Sequence, residues 1–104
     1  MEMQAALAAV DAALAAKASA APARASGCGR AYVALMGDKA QLKAIAAACK
    51  ARGVRYLPKP HGVGGPAIYV GYDNCTGVEV GQSVAMAGAL NRAGVQCYDD
   101  AVGD

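Results

Sequence analysis

The chain reads as an α+β domain of tandem βαβ units, expected to close into a four-stranded, ferredoxin-like (split βαβ) two-layer sandwich preceded by an Ala-rich helix. Three observations lead there. Residues 66–100 carry a complete strand–helix–strand unit: Ala67-Ile68-Tyr69-Val70-Gly71-Tyr72 as strand, Asp73-Asn74-Cys75-Thr76-Gly77 as corner, a helix from Val78 to Ala93, Gly94 to stop it, and Val95-Gln96-Cys97-Tyr98 opening the next strand. The same grammar recurs over residues 30–57, where Arg52-Gly53-Val54 is echoed by Arg92-Ala93-Gly94-Val95, and this reads as an internal repeat. Only a loop separates the second strand from the third. That direct connection suits an antiparallel sheet with both helices on one face better than a small open parallel sheet.

Taken in order, residues 1–20 are Ala-rich and predict an amphipathic helix, since Ala is the strongest helix former. Its larger apolar residues, Met3, Leu7, Val10 and Leu14, make one narrow stripe that either packs on its own domain or pairs with a second copy in a homodimer. The helix or such a partner is expected to cover the sheet face opposite the other helices, because a bare apolar face would aggregate. Residues 21–29, with Pro22 and Gly27, form a linker, and residues 30–104 form the α+β domain. Arg30 to Met36 is the first strand. Asp38 and Gln41 have the spacing of a capping box and start a helix through Arg52, with Leu42, Ile45, Ala46 and Cys49 as its buried stripe. Gly53 ends it and Val54-Arg55-Tyr56-Leu57 is the second strand. Three prolines and three glycines between Pro58 and Pro66 forbid helix or central strand, so that stretch is a surface loop. In the second unit Thr76 and Glu79 repeat the capping-box spacing.

Composition narrows the classes. A chain of 104 residues is one domain's worth, and with no Trp or Phe its core is built from Val, Leu, Ile, Met and Tyr, with Ala and Gly allowing close approach. The four cysteines, Cys28, Cys49, Cys75 and Cys97, show no paired CxxC motif and read as buried free thiols in a reducing compartment. The N-terminus makes a poor secretory signal, because Glu2 stands where a basic residue belongs and Asp11 interrupts the apolar run. With no membrane span in view, a soluble cytoplasmic protein is expected. A net charge of +2 names no partner by itself. Its distribution says more: Lys39 to Tyr72 holds six bases and no acid, whereas Asp73 onward holds five acids against Arg92.

Four places have residues that carry chemistry. The basic helix and the strand and loop after it supply Lys39, Lys43, Lys50, Arg52, Arg55 and Lys59, a cationic surface for an acidic protein or for phosphates. The two strand-to-helix corners, Gly37-Asp38 and Asp73-Asn74-Cys75-Thr76, are expected at one end of the sheet, where helix N-termini favour an anion or the two aspartates hold a divalent cation. The loop holding Lys59, His61, Gly62, Gly64 and Gly65 could wrap a phosphate with backbone N–H groups, though it matches no P-loop or dinucleotide fingerprint. Cys75 beside a helix start, with His61 as base, is a candidate nucleophile for a hydrolase or transferase. Tyr69 and Tyr72 stand three apart in one strand, which sets them on opposite faces and argues against an aromatic stacking platform.

With no catalytic set, metal cluster or cofactor fingerprint in the pattern, the sequence points to a non-catalytic accessory or regulatory protein. It would dock on a larger protein or complex through the basic helix, with sequence-specific nucleic-acid binding disfavoured. The alternative is a sensor of an anionic metabolite or nucleotide at the corners and the glycine loop.

Overall fold

The computed structural model describes residues 1–24 and 27–103. Its elements are α1 (Met3–Ala18), β1 (Gly29–Leu35), α2 (Lys39–Ala51), β2 (Tyr56–Leu57), β3 (Ala67–Asp73), α3 (Val78–Arg92) and β4 (Cys97–Gly103). The strands make one four-stranded antiparallel sheet in the order β2-β3-β1-β4. Over the described residues the molecule is thus α+β, with three helices and that sheet. None of the described helices is long and apolar enough to cross a membrane.

Both repeat helices end the same way. Gly53 (φ +68°) and Gly94 (φ +88°) take the left-handed conformation that a side chain would disfavour, and the valine after each donates its N–H back into the last turn, Val54 to the Cys49 carbonyl and Val95 to that of Leu90. Each valine is thereby aimed at the core. The starts differ. Asp38 caps α2 by accepting from the Gln41 N–H at 2.8 Å, but the Gln41 side chain reaches away, donating to the Gly94 carbonyl and accepting from the Gln96 N–H. At α3 the expected Thr76–Glu79 box is replaced by Asp73, because Gly77 holds the cap position and carries no side chain to do the work.

The core lies between β1 and β3 and the helices. Ala31, Val33, Leu35, Ile68 and Val70 from the sheet meet Ile45, Ala48 and Cys49 of α2 and Met86, Ala87 and Leu90 of α3. Fully burying side chains such as Ile45, Ile68 and Leu90 stabilises the fold by about 1.5–3 kcal/mol each. α1 belongs to the same cluster and packs against both α2 and α3. Its buried residues are Ala6, Ala9, Val10 and Ala13, one position off the stripe expected from the larger side chains, and Met3 stays 41% exposed. Alanines win because only a methyl-sized side chain lets a third helix settle between two others. Asp11 of α1 receives the Arg52 guanidinium at 2.7 and 3.2 Å and ties α1 to the end of α2.

Three expectations are corrected here. α1 sits on the helical side and does not cover the other sheet face; the Pro58–Pro66 loop does that, reaching far enough for Gly62 (φ +86°) to lie against Val102 of β4. Tyr69 and Tyr72 share a face. The β1–β3 register shifts between Ala31 and Tyr32, making Val70 the extra residue of a bulge, so Tyr69 pairs with Tyr32 while Tyr72 pairs with Arg30. Finally, Cys28 and Cys75 form a disulfide, with Cα atoms 4.4 Å apart, so two of the four thiols read as free are bonded. Closing a loop of 47 residues stabilises by about 4 kcal/mol on the chain-entropy view, and it withdraws the thiol-based reason for a reducing compartment. Cys49 and Cys97 are free, and burial pushes each thiol up to about 11, with Asp99 adding to the effect at Cys97.

Candidate functional site

The antiparallel pairing decides first which candidates can cooperate. Gly29 faces Asp73 and Ala34 faces Ala67, so the corner after β1 lies at one end of the sheet and the corner after β3 at the other, roughly 20 Å apart by strand length. Gly37 and Asp38 therefore share no site with Asp73, Asn74, Cys75 and Thr76, contrary to expectation, and the two aspartates cannot hold one cation. Among the described residues no group of three or more His, Cys, Asp or Glu is placed to hold a metal ion.

Each corner also consumes its own donors. The buried Asp73 carboxylate accepts from the N–H groups of Thr76 (2.8 Å), Gly77 (2.9 Å) and Val80 (3.1 Å), and Thr76 Oγ1 accepts from Val78 at 3.2 Å. These bonds, that from Val80 foremost, hold the Asp73 carboxyl below its ordinary value against the opposing effect of burial. A helix start already filled by a carboxylate repels a second anion. Cys75 in turn is spent on its bond to Cys28 and presents no thiolate.

The six bases of the cationic surface divide. Lys39, Lys43 and Lys50 are exposed on α2, Arg52 is held by Asp11, Arg55 stands just before β2 and Lys59 lies in the loop after it. Arg55 has another partner. Its guanidinium lies 5.2 Å from the ring centroid of Tyr69, within cation–π range, and Tyr69 in turn meets Tyr32 at 5.5 Å between centroids with the rings tilted by 60°.

These residues gather on the outer face of the sheet, away from the helices. Alternation along β1 sends Ala31, Val33 and Leu35 into the core and leaves Arg30, Tyr32 and Ala34 outside. The loop then roofs part of that face, enclosing a cleft of about 260 Å³. Its floor is Tyr32, Tyr69 and Leu57; its rim is Arg30, Arg55, His61 and Pro60. Tyr32 is only 2% exposed, whereas Tyr69 is half-buried. Gly64 and Gly65 line a smaller neighbouring hollow of about 140 Å³ with Ala34 and Tyr98. Of the residues expected to bind a ligand, the cleft thus uses His61 and, from the cationic group, Arg55.

Compared with known proteins, the chain matches no family model, no curated protein and no solved structure. Its site must be read from its own chemistry. Sequence reasoning overlooked Arg30, Tyr32 and Leu57. The signal for the first two was present in the alternation from Arg30 to Val33, which sets Arg30 and Tyr32 on the face opposite Ala31 and Val33. Tyr69 is not legible as a site residue in the sequence, because no sequence rule locates a bulge at Val70.

Proposed function

We propose that the protein is a non-catalytic binding domain whose outer-face cleft holds a small anionic ligand carrying a planar ring, of the nucleotide class. The observation that carries this is the meeting of Arg30, Arg55 and His61 at the rim of a cleft floored by Tyr32 and Tyr69. Guanidinium groups hold phosphate or carboxylate oxygens in a fork, and a tyrosine ring offers a stacking surface to the planar part. For the fold we favour the ferredoxin-like split βαβ reading. Its support is a strand order with the first strand of each unit at the centre and the second at an edge.

Calorimetric titration with AMP, adenosine and inorganic phosphate tests the cleft. AMP is expected to bind more tightly than either part alone, and Arg55→Ala to weaken it about tenfold, the range for losing one charge-assisted hydrogen bond. AMP that binds no better than phosphate, or binding indifferent to Arg55→Ala, sinks the reading.

A second role is supported on another surface. A shallow depression of about 420 Å³ beside α2 has Ala46, Val54 and Tyr56 as apolar floor and Lys50 and Arg55 as cationic rim, the complement of an acidic amphipathic segment of a larger protein. With Lys39 and Lys43 exposed on the same helix, the paired change Lys43→Glu with Lys50→Glu should abolish capture of such a partner while AMP binding persists. Capture that survives the reversal removes α2 from the account.

A further inference from the structure

We infer that the protein carries a second small-molecule site, a hollow at the end of the helical layer that takes an anionic amphiphile of the medium-chain fatty acid class. This site is separate from the outer-face cleft and stands whether or not the cleft binds a nucleotide.

The hollow follows from how two helices end. α1 is buried through Ala6, Ala9, Val10 and Ala13 where it packs on α2 and α3, and no buried residue follows in its last turn. α2 stops at Ala51, where Gly53 turns the chain and Val54 leads it towards β2. A space of about 310 Å³ is left beside these two ends. That is the low end of the volumes, about 300–1,000 Å³, in which proteins hold small molecules. Val70 of β3 and Met86 of α3, both nearly closed to solvent, line it together with the half-buried Leu14 and Val54. Among the described residues no acid lines it.

Three cations line the same hollow, and two of them are already engaged. Arg52 is bound by Asp11, and Arg55 lies over the ring of Tyr69. Lys17 is different. It is half-buried, and among the described residues no carboxylate stands within ion-pair distance of its ammonium. A place in the last turn of α1 suits its charge to the helix dipole, but that effect asks for no apolar hollow beside it. A lysine stem lies along apolar surface while its ammonium stays at the margin, so Lys17 brings one unpaired positive charge to the edge of an apolar space.

One charge beside an apolar body is the complement of a monocarboxylate with a hydrocarbon chain. A free phosphate or a nucleotide would bring more charge than Lys17 balances and leave Val70 and Met86 without an apolar partner. A neutral hydrocarbon would leave the ammonium unpaired.

Calorimetric titration of the full chain with octanoate, octanol and acetate separates the two parts of the site. Octanoate is expected to bind about tenfold more tightly than octanol, the range for one charge-assisted hydrogen bond, and acetate, which lacks the chain, to bind far more weakly than octanoate. Lys17→Met keeps an apolar stem and removes the charge. It should bring octanoate down to the affinity of octanol and leave octanol unchanged, whereas Lys17→Arg retains the preference. Octanoate should also raise the melting temperature of the wild type more than that of Lys17→Met, because a ligand held by the folded state stabilises it in proportion to its affinity. Octanoate that binds no more tightly than octanol, or a preference that survives Lys17→Met, overturns the site. Acetate that binds as tightly as octanoate overturns it too, since the hollow then contributes nothing. Failure of octanoate beside successful AMP binding removes this site and leaves the cleft standing.

Discussion

Asp73 shows how one side chain can settle a local structure. It closes β3, is 1% exposed, and places both carboxylate oxygens on the N–H groups that open α3. Because the fold lowers its pKa, its contribution to stability is fully present above the unfolded value near 3.8 and is lost as pH falls through the lower folded value. Asp11, lowered by Arg52, acts in the same sense. Thermal melts of the wild type should therefore fall steeply below about pH 4. In Asp73→Asn the melting temperature should be lower at pH 7, since an amide N–H would face backbone N–H groups, and should approach the wild type at pH 2. Equal losses at both pH values would show that ionisation of Asp73 contributes nothing. The sequence displays this aspartate at the right corner, but the capping-box spacing of Thr76 and Glu79 points to Thr76 instead.

Among the elements, β3 departs furthest from its sequence pattern, and most of the candidate site depends on that departure. Helix limits were legible to within a residue or two, because glycines at Gly53 and Gly94 and polar residues at the starts mark helix ends by local backbone chemistry. Strand limits were less so: β2 shrinks to Tyr56–Leu57, and β4 begins at Cys97 and runs on to Gly103. Pairing decides where a strand stops, and pairing partners lie far away in sequence. The bulge at Val70 is of the same kind. It exists to fit β3 to β1, and its effect is to bring Tyr69, Tyr72 and Arg30 onto one side. The Pro58–Pro66 loop was recognisable as a loop from its prolines and glycines; that it folds over the outer face required Val102 to be there to receive Gly62.

For the whole molecule, the decisive contact is α1 between α2 and α3. Val10 is buried and Leu7 and Leu14 pack against the core cluster, so removing the helix withdraws three large side chains at about 1.5–3 kcal/mol each, comparable to the roughly 5–15 kcal/mol stability of an ordinary domain. A chain lacking residues 1–18 is expected to lose cooperative unfolding and to bind a hydrophobic dye at neutral pH. Should the shortened chain instead melt cooperatively near the full-length temperature, α1 is an accessory to the core and its role as a dimer contact becomes the better account. From the sequence alone come the α+β class, the order of elements, the Asp38 cap of α2, the glycine stops after α2 and α3, and the split between a basic and an acidic half, since each depends on neighbours within a few residues. Only the tertiary structure decided which face α1 occupies, that the two corners lie at opposite ends, that Cys28 meets Cys75, and that Arg30, Arg55, Tyr32 and Tyr69 enclose one cleft. Each of these depends on strand direction and register, which are fixed by contacts between residues tens of positions apart.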